Sequence, residues 1–425
     1  MQSFWDFFSF SNANVIYVVL GMICINASSA LVGTFAFLRK RSLIGDAVAH
    51  SLLLGICFGY MMAGEKNPVF LLAGAFITGW ISIFLVDYIV NHSRVKQDTA
   101  IGVVLSTFFA LGVVLLTYIQ KTGNGNHAGL DHFLFGQAAA ITRDEVYVFA
   151  FIFALILVVI SLFYRQLVLL AFNPEYAASI GLPVRTFEFV LTSLTVLAIA
   201  AGIQALGVIL ISALIITPAA AARLWTHNLK KLMLLAVIIS VFCGVTGAYI
   251  SYVRTAMPTG PWVVVVLSVI TLGSIAFAPR RGFLSRYYIR RKNNRKITDE
   301  NILKTIFKLP HFDEAGSGVM FRAVDLTEIR SFDTKELRRG LERLLKRELI
   351  QQSADDFILT TEGKKESERI IRLHRLWEQY LLKRTSVDTD HVHSGAEAIE
   401  HIITPEIEAE LERELGIKGI PEDDY

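Results

Sequence analysis

The chain has 425 residues, of which 53% are hydrophobic and 19% charged, with a formal net charge of +3. That is too apolar for an ordinary soluble domain, so part of the chain lives in lipid, and the net charge is too small to argue by itself for a nucleic-acid partner. Cys24, Cys57 and Cys243 all fall in apolar runs, which indicates neither a disulfide framework nor a zinc-thiolate site. Charge is distributed unevenly: about 24 charged side chains lie in residues 1–279 and about 55 in the remaining 146. The chain therefore divides near Pro279 into parts suited to different solvents. The N-terminus has no basic n-region and no small-residue cleavage site, so no removable signal peptide is expected.

Apolar runs long enough to span a bilayer, about 20 residues each, fall near 15–38, 43–63, 68–90, 99–119, 145–164, 187–206, 207–225, 232–253 and 262–278. These predict nine transmembrane helices, or eight if 187–225 is one broken helix. Basic clusters at Arg39-Lys40-Arg41, Arg94 with Lys96, Arg165, Arg185, Arg223 with Lys230-Lys231, and Arg280-Arg281 all reach the cytoplasmic side if the N-terminus is outside. Eight spans would put the N-terminus inside, which the charge pattern disfavours.

The second run holds Asp46 and His50 within an otherwise apolar stretch. A central Asp costs from about 2.5 kcal/mol upward at membrane depth, so such groups usually face a bundle interior and mark an ion path. Positions i and i+4 share a helix face, and a carboxylate beside an imidazole suits a divalent first-row metal. The alternative is a hydrogen bond that joins two helices. Residues 172–183 are too polar to span, are bounded by Pro174 and Pro183, and suit a short helix on the cytoplasmic surface. No G-x-x-x-x-G-K-[ST] stretch occurs, so ATP hydrolysis through a phosphate loop belongs to a partner.

Residues 280–296 carry eight basic side chains and no acid, and read as a juxtamembrane linker that anchors topology or meets anionic lipid. Helical patterning follows at 297–309, 324–331 and 334–350, then a two-stranded wing including Phe357 to Thr361, then a long amphipathic helix to about Arg384. Three helices and a hairpin make a winged helix-turn-helix. The expected fold class is thus an all-α polytopic membrane protein with a cytoplasmic winged helix and a further helical region. The expected boundaries are a transmembrane domain at 1–279, the linker at 280–296, the winged helix at 297–365 and a helical region at 366–425.

Arg41-Ser-Leu-Ile-Gly-Asp-Ala-Val-Ala-His50, Gln97-Asp-Thr-Ala-Ile-Gly102, the Asn173–Pro183 loop and Gly207-Val-Ile-Leu-Ile-Ser-Ala-Leu-Ile-Ile-Thr-Pro-Ala-Ala-Ala-Ala-Arg223 together resemble the membrane subunit of the manganese/zinc/iron ABC importers, over about residues 15–278. The resemblance implies a permease homodimer or heterodimer in the bacterial cytoplasmic (inner) membrane, a separate ABC ATPase subunit, and an extracytoplasmic metal-binding protein. Asp46 and His50 match the positions facing the translocation pathway. Asp98 matches a second polar station, or serves as an N-cap. The ATPase would dock at Asn173, Pro174, Glu175, Ala177, Ala178 and Gly181. His127, Asp131 and His132 stand in an outer loop, as greeters of an arriving cation or as plain surface residues. The divalent metal is substrate, manganese favoured over zinc or iron, and no organic cofactor is implied.

Residues 297–416 resemble the diphtheria-toxin and manganese-responsive repressors, through Leu359-Thr-Thr-Glu-Gly-Lys-Lys365 and Val392-His-Ser-Gly-Ala-Glu-Ala-Ile-Glu-His-Ile-Ile-Thr-Pro405. This resemblance implies one metal site from His374, Glu378 and His393, and part of another from Glu397, Glu400 and His401. Asn301 and Lys304 replace acidic ligands of the manganese branch, weakening, altering or removing one site. Lys335, Arg338, Arg339 and Arg343 on 334–350 are candidate DNA contacts, set against Glu336, Glu342 and Glu348 on the same helix. The domain reads as a metal-sensing regulator of transport, and the alternative is a membrane-tethered or cleavable repressor.

Overall fold

Each long apolar run folds as a helix, because hydrocarbon offers no partner for backbone N–H and C=O groups and only a helix satisfies them within one segment. In a computed structural model the described residues are 12–39, 43–64, 68–122, 141–253, 258–279, 281–309, 320–384 and 405–416, with Phe7, Ser9, Gly136 and Ala138. The chain divides into two units, Met1–Ser285 and Arg286–Tyr425.

The first unit comprises α1 (Ala13–Leu38), α2 (Ile44–Ala63), α3 (Pro68–His92), α4 (Gln97–Thr122), α5 (Arg143–Leu162), α6 (Tyr164–Phe172), α7 (Pro174–Ser179), α8 (Val184–Leu206), α9 (Val208–Trp225), α10 (Leu229–Val253) and α11 (Thr259–Phe277). Local chemistry sets their starts. Asn12 accepts the Asn14 N–H at 3.0 Å, and Thr142 and Glu145 close a capping box on α5. Among the described residues eight helices are long and apolar enough to cross a bilayer, and α9 is a shorter apolar ninth.

Helix α9 packs against α11 at both ends. Gly260, at the start of α11, packs against Leu206 and Leu210, while Arg281, just past the end of α11, donates to the Arg223 carbonyl at 3.3 Å. Helix α9 therefore runs alongside α11 over its full depth, and 187–225 is two helices. They reverse at Gly207, whose φ of 83° is open to glycine and strained for other residues. Arg39 pairs with Glu188, and the Lys230 ammonium sits 5.7 Å from the Tyr164 ring centre, so these residues mark the Arg223 end of the bundle.

Helices α2 and α3 approach closely through glycine. A Cβ at Gly55 would collide with the Gly74 carbonyl and the Thr78 hydroxyl, and one at Gly59 with the Phe70 carbonyl. Small residues four apart let helix backbones meet where lipid gives no hydrophobic drive to associate.

Helix α12 (Phe283–Phe307) starts in the last residues of the first unit, and from Arg286 onward it belongs to the second, which continues with β1 (Met320–Phe321), α13 (Ala323–Ile329), α14 (Thr334–Lys346), β2 (Ile350–Ser353), β3 (Asp356–Leu359), α15 (Thr361–Arg384) and α16 (Pro405–Leu415). The basic stretch before Ile297 is helical from Phe283 onward, because Arg and Lys are good helix formers and neither Gly nor Pro interrupts it. The wing carries a third strand: the antiparallel order is β1-β3-β2, with Met320 opposite Ile358 and Ile350 opposite Leu359. Ile302, Ile306, Leu326, Leu341, Leu344 and Leu359 form its core. Leu373 and Leu411 pack α15 on α16, and Arg372 bonds Glu408 and Glu412 beside them.

Candidate functional site

Asp46 and His50 share one face of α2, as their spacing requires, with His50 Nε2 4.0 Å from Asp46 Oδ1. That is too long for a hydrogen bond. Two donors each about 2.1 Å from one ion stand about 3.0 Å apart when cis in an octahedron and about 4.2 Å when trans, so the pair can share an ion with little movement. The His50 ring meets the Phe109 edge, centroids 4.9 Å apart, and its Nδ1 is buried without a hydrogen-bond partner among the described residues. Phe109 is the thirteenth of 26 residues in α4, which sets His50 at mid-depth of that helix. The Asp46 side chain is 41% exposed and that of His50 20%, so the pair opens on the protomer surface. Phe109 had no signal in sequence, since one Phe among 29 is indistinguishable until the helices pack.

Asp98 is not brought to this pair. It lies in the exposed first turn of α4, eleven residues before Phe109, or about 16 Å along the axis. There a carboxylate favours the helix N-terminus. Helices α2 and α4 run parallel, since His50 meets Phe109 and Leu54 meets Gly112, so Asp98 lies toward the Arg39 end of the bundle.

The polar loop forms α7, with Pro174 at its first turn and Asn173 accepting the Tyr176 N–H at 2.9 Å. Ala177 is buried, whereas Asn173, Pro174, Glu175, Ala178 and Gly181 are exposed. Phe172, Tyr176 and Ile180 add an exposed apolar stripe at four-residue spacing that sequence reading passed over. His127, Asp131 and His132 lie outside the described residues.

In the second unit His374 Nε2 stands 3.0 Å from Glu378 Oε1, with His374 buried and Glu378 partly so. An imidazole and a carboxylate at that separation fit two cis positions on a divalent ion. His393, Glu397, Glu400 and His401 lie outside the described residues. Among the described residues, no three His, Cys, Asp or Glu side chains gather at one point. Lys304 is buried at 3% exposure on α12, and Asn301 is partly buried. Of the candidate DNA contacts, Arg343 donates to Asp299 at 2.6 Å and Arg338 pairs with Glu342 at 3.3 Å, while Lys335 and Arg339 are exposed.

Comparison with known proteins matches two family models: "ABC 3 transport family" over residues 11–278, and "Iron dependent repressor, metal binding and dimerisation domain" over residues 360–417. The chain is 38% identical over 307 residues to the manganese transport system membrane protein MntC of Bacillus subtilis, covering 72% of this chain and 70% of that protein. It is also 38% identical over 283 residues to the zinc transport system membrane protein TroC of Treponema pallidum, covering 67% of this chain and 95% of that protein. Among solved structures, PsaBC from Streptococcus pneumoniae in complex with Fab aligns with a TM-score of 0.60 and 29% identity, over 66% of this chain and 99% of that one.

Proposed function

Because the chain belongs to the ABC 3 transport family, we propose that it is the permease of an ATP-driven importer of manganese, with zinc and iron as competing cargo. It is a transport component and not an enzyme, so hydrolysis falls to an ABC ATPase subunit. The observation that carries the reading is the Asp46–His50 pair on one face of α2, within 4.0 Å of each other and open on the protomer surface. Two ligands from one protomer hold a cation without caging it, and conduction needs a site weak enough to leave. A second copy of the chain would bring its own pair across the exposed face. Relatives named for manganese and for zinc transport support a first-row divalent cargo.

In the proposed cycle an extracytoplasmic metal-binding protein delivers the ion, and Asp46 and His50 replace part of its water shell. The ATPase pushes on α7, where Phe172, Tyr176 and Ile180 give it an apolar grip around Asn173 to Gly181. Motion there rocks α8 and changes the separation of the ligands. Asp98 then serves as a separate stop on the way out. The basic ends near Arg39, Arg223 and Arg281 favour the cytoplasmic side of a bacterial inner membrane for that face.

The second unit is assigned to metal sensing that restrains transport. Its support is the match to a metal-binding and dimerisation model and the His374–Glu378 pair. His393, Glu397, Glu400 and His401 are the proposed remaining ligands. A tethered repressor is the weaker reading, since the similarity over residues 11–278 is to transport permeases. The test is uptake of labelled manganese, zinc and iron into proteoliposomes with ATPase and binding protein supplied, with and without residues 297–425. ATP-driven manganese uptake that no longer falls off at high internal metal in the shortened chain supports both assignments. Absence of uptake of all three metals removes the transport reading.

A further inference from the structure

Helices α12 and α14 enclose a groove of about 690 Å³, and its walls are basic. Arg290, Arg291 and Arg295 line it from α12, and Arg339 and Lys346 from α14. None of these five has an ion-pair partner among the described residues. Arg343 also lines the groove but is committed to Asp299, and of the acids there, Glu336 and Glu342, the second is paired with Arg338. Like charges gathered at one groove repel one another, so the arrangement is built for a polyvalent anion.

A second feature identifies the anion. Arg291, Asn294 and Thr298 lie on the same face of α12 as Phe283, Leu284 and Tyr287, since residues three, four and seven apart align on a helix. Phe283 is 71% exposed, Tyr287 58% and Tyr288 71%, and Leu284 and Ile289 are exposed beside them. Tyr287 belongs to both the aromatic strip and the groove wall. One helix face thus passes from exposed aromatic and aliphatic side chains to arginines within about four turns. The strip begins six residues after Phe277, where the last candidate span ends. Aromatic rings with interleaved Arg are the composition of a helix at the membrane interface. Neither a nucleic-acid duplex nor a free inorganic anion would use the aromatic strip.

We propose that the α12–α14 groove binds the phosphate headgroup of an anionic phospholipid, with Tyr287 on its wall and the neighbouring Tyr288 and Ile289 taking the start of its acyl chains. This goes beyond metal transport and does not depend on it. It would make the second unit responsive to lipid charge, through the helix that would otherwise read DNA.

The test uses the full chain in nanodiscs of phosphatidylcholine, alone or with a third replaced by phosphatidylglycerol. Amide hydrogen exchange is followed over 286–298 and 334–346. The expected result is exchange about tenfold slower on both helices with phosphatidylglycerol, each basic side chain near an anionic surface adding to the attraction. Arg339→Gln, on α14, should remove most of that difference. Lys292→Gln, which is equally basic but outside the groove, should keep it. Equal exchange in the two lipids overturns the proposal, as does equal loss in both variants. Slowing in phosphatidylcholine discs by inorganic phosphate alone would make it a free-anion site. Slowing there by a DNA duplex, with none from phosphatidylglycerol, would make it a nucleic-acid site.

Discussion

Replacing Asp46 by Asn keeps the side-chain volume and removes one charge from the Asp46–His50 pair. A carboxylate charge and a divalent ion about 2.1 Å apart interact by about 16 kcal/mol at an effective dielectric constant of 20. Desolvating the ion and the carboxylate offsets much of this, and the Asn carbonyl still donates a lone pair. A net loss of about 3 kcal/mol remains, equivalent to about a hundredfold in affinity. The 4.0 Å separation places both donors within reach of one ion, so the loss should fall on cargo and not on folding. Manganese uptake in proteoliposomes should therefore drop about a hundredfold, while thermal unfolding and elution of the purified chain stay unchanged. The control is Asp98→Asn, about 16 Å along α4 from the Phe109 level. It removes a favourable helix-terminus charge worth under about 1 kcal/mol, and should lower uptake less than tenfold. Uptake by the Asp46 variant within threefold of the parent would refute the ligand assignment, and so would equal losses from the two variants.

Gly55→Leu drives a side chain into the Gly74 carbonyl and the Thr78 hydroxyl, so α2 and α3 must part. We expect a destabilisation of about 3 kcal/mol or more, read as lost yield and a lowered unfolding temperature in detergent. Ala177→Asp buries a carboxylate under α7, whereas Tyr176→Glu charges only its exposed apolar stripe. The second should abolish transport-coupled ATP hydrolysis by the partner while leaving the permease folded, measured as phosphate release on reconstitution. Arg343→Ala strips the partner from Asp299, which is 5% exposed, and should cost the second unit about 3 kcal/mol. Faster proteolysis within residues 286–384 would report it. His374→Ala should weaken metal-dependent inhibition of transport and leave uptake at low metal unchanged, followed as uptake against internal manganese.

Periodicity and charge determined much of this protein by themselves. Runs of about 20 apolar residues have only one stable form in hydrocarbon, so the spans were legible without any knowledge of their neighbours. The i, i+4 spacing of Asp46 and His50, and of His374 and Glu378, was equally local and survived folding because a helix enforces it. Packing decided the rest. Whether 187–225 is one helix or two turned on which residues meet Gly260 and Arg281, far away in the chain. The depth of His50 came from Phe109, and the isolation of Asp98 from the parallel run of α2 and α4. The basic residues of 280–296 carried no mark of a groove, because an arginine facing water and one facing another helix look alike in sequence. Only the fold of α12 against α14 brought Arg291 and Arg339 to one cavity, since charge convergence between distant segments is a property of three dimensions.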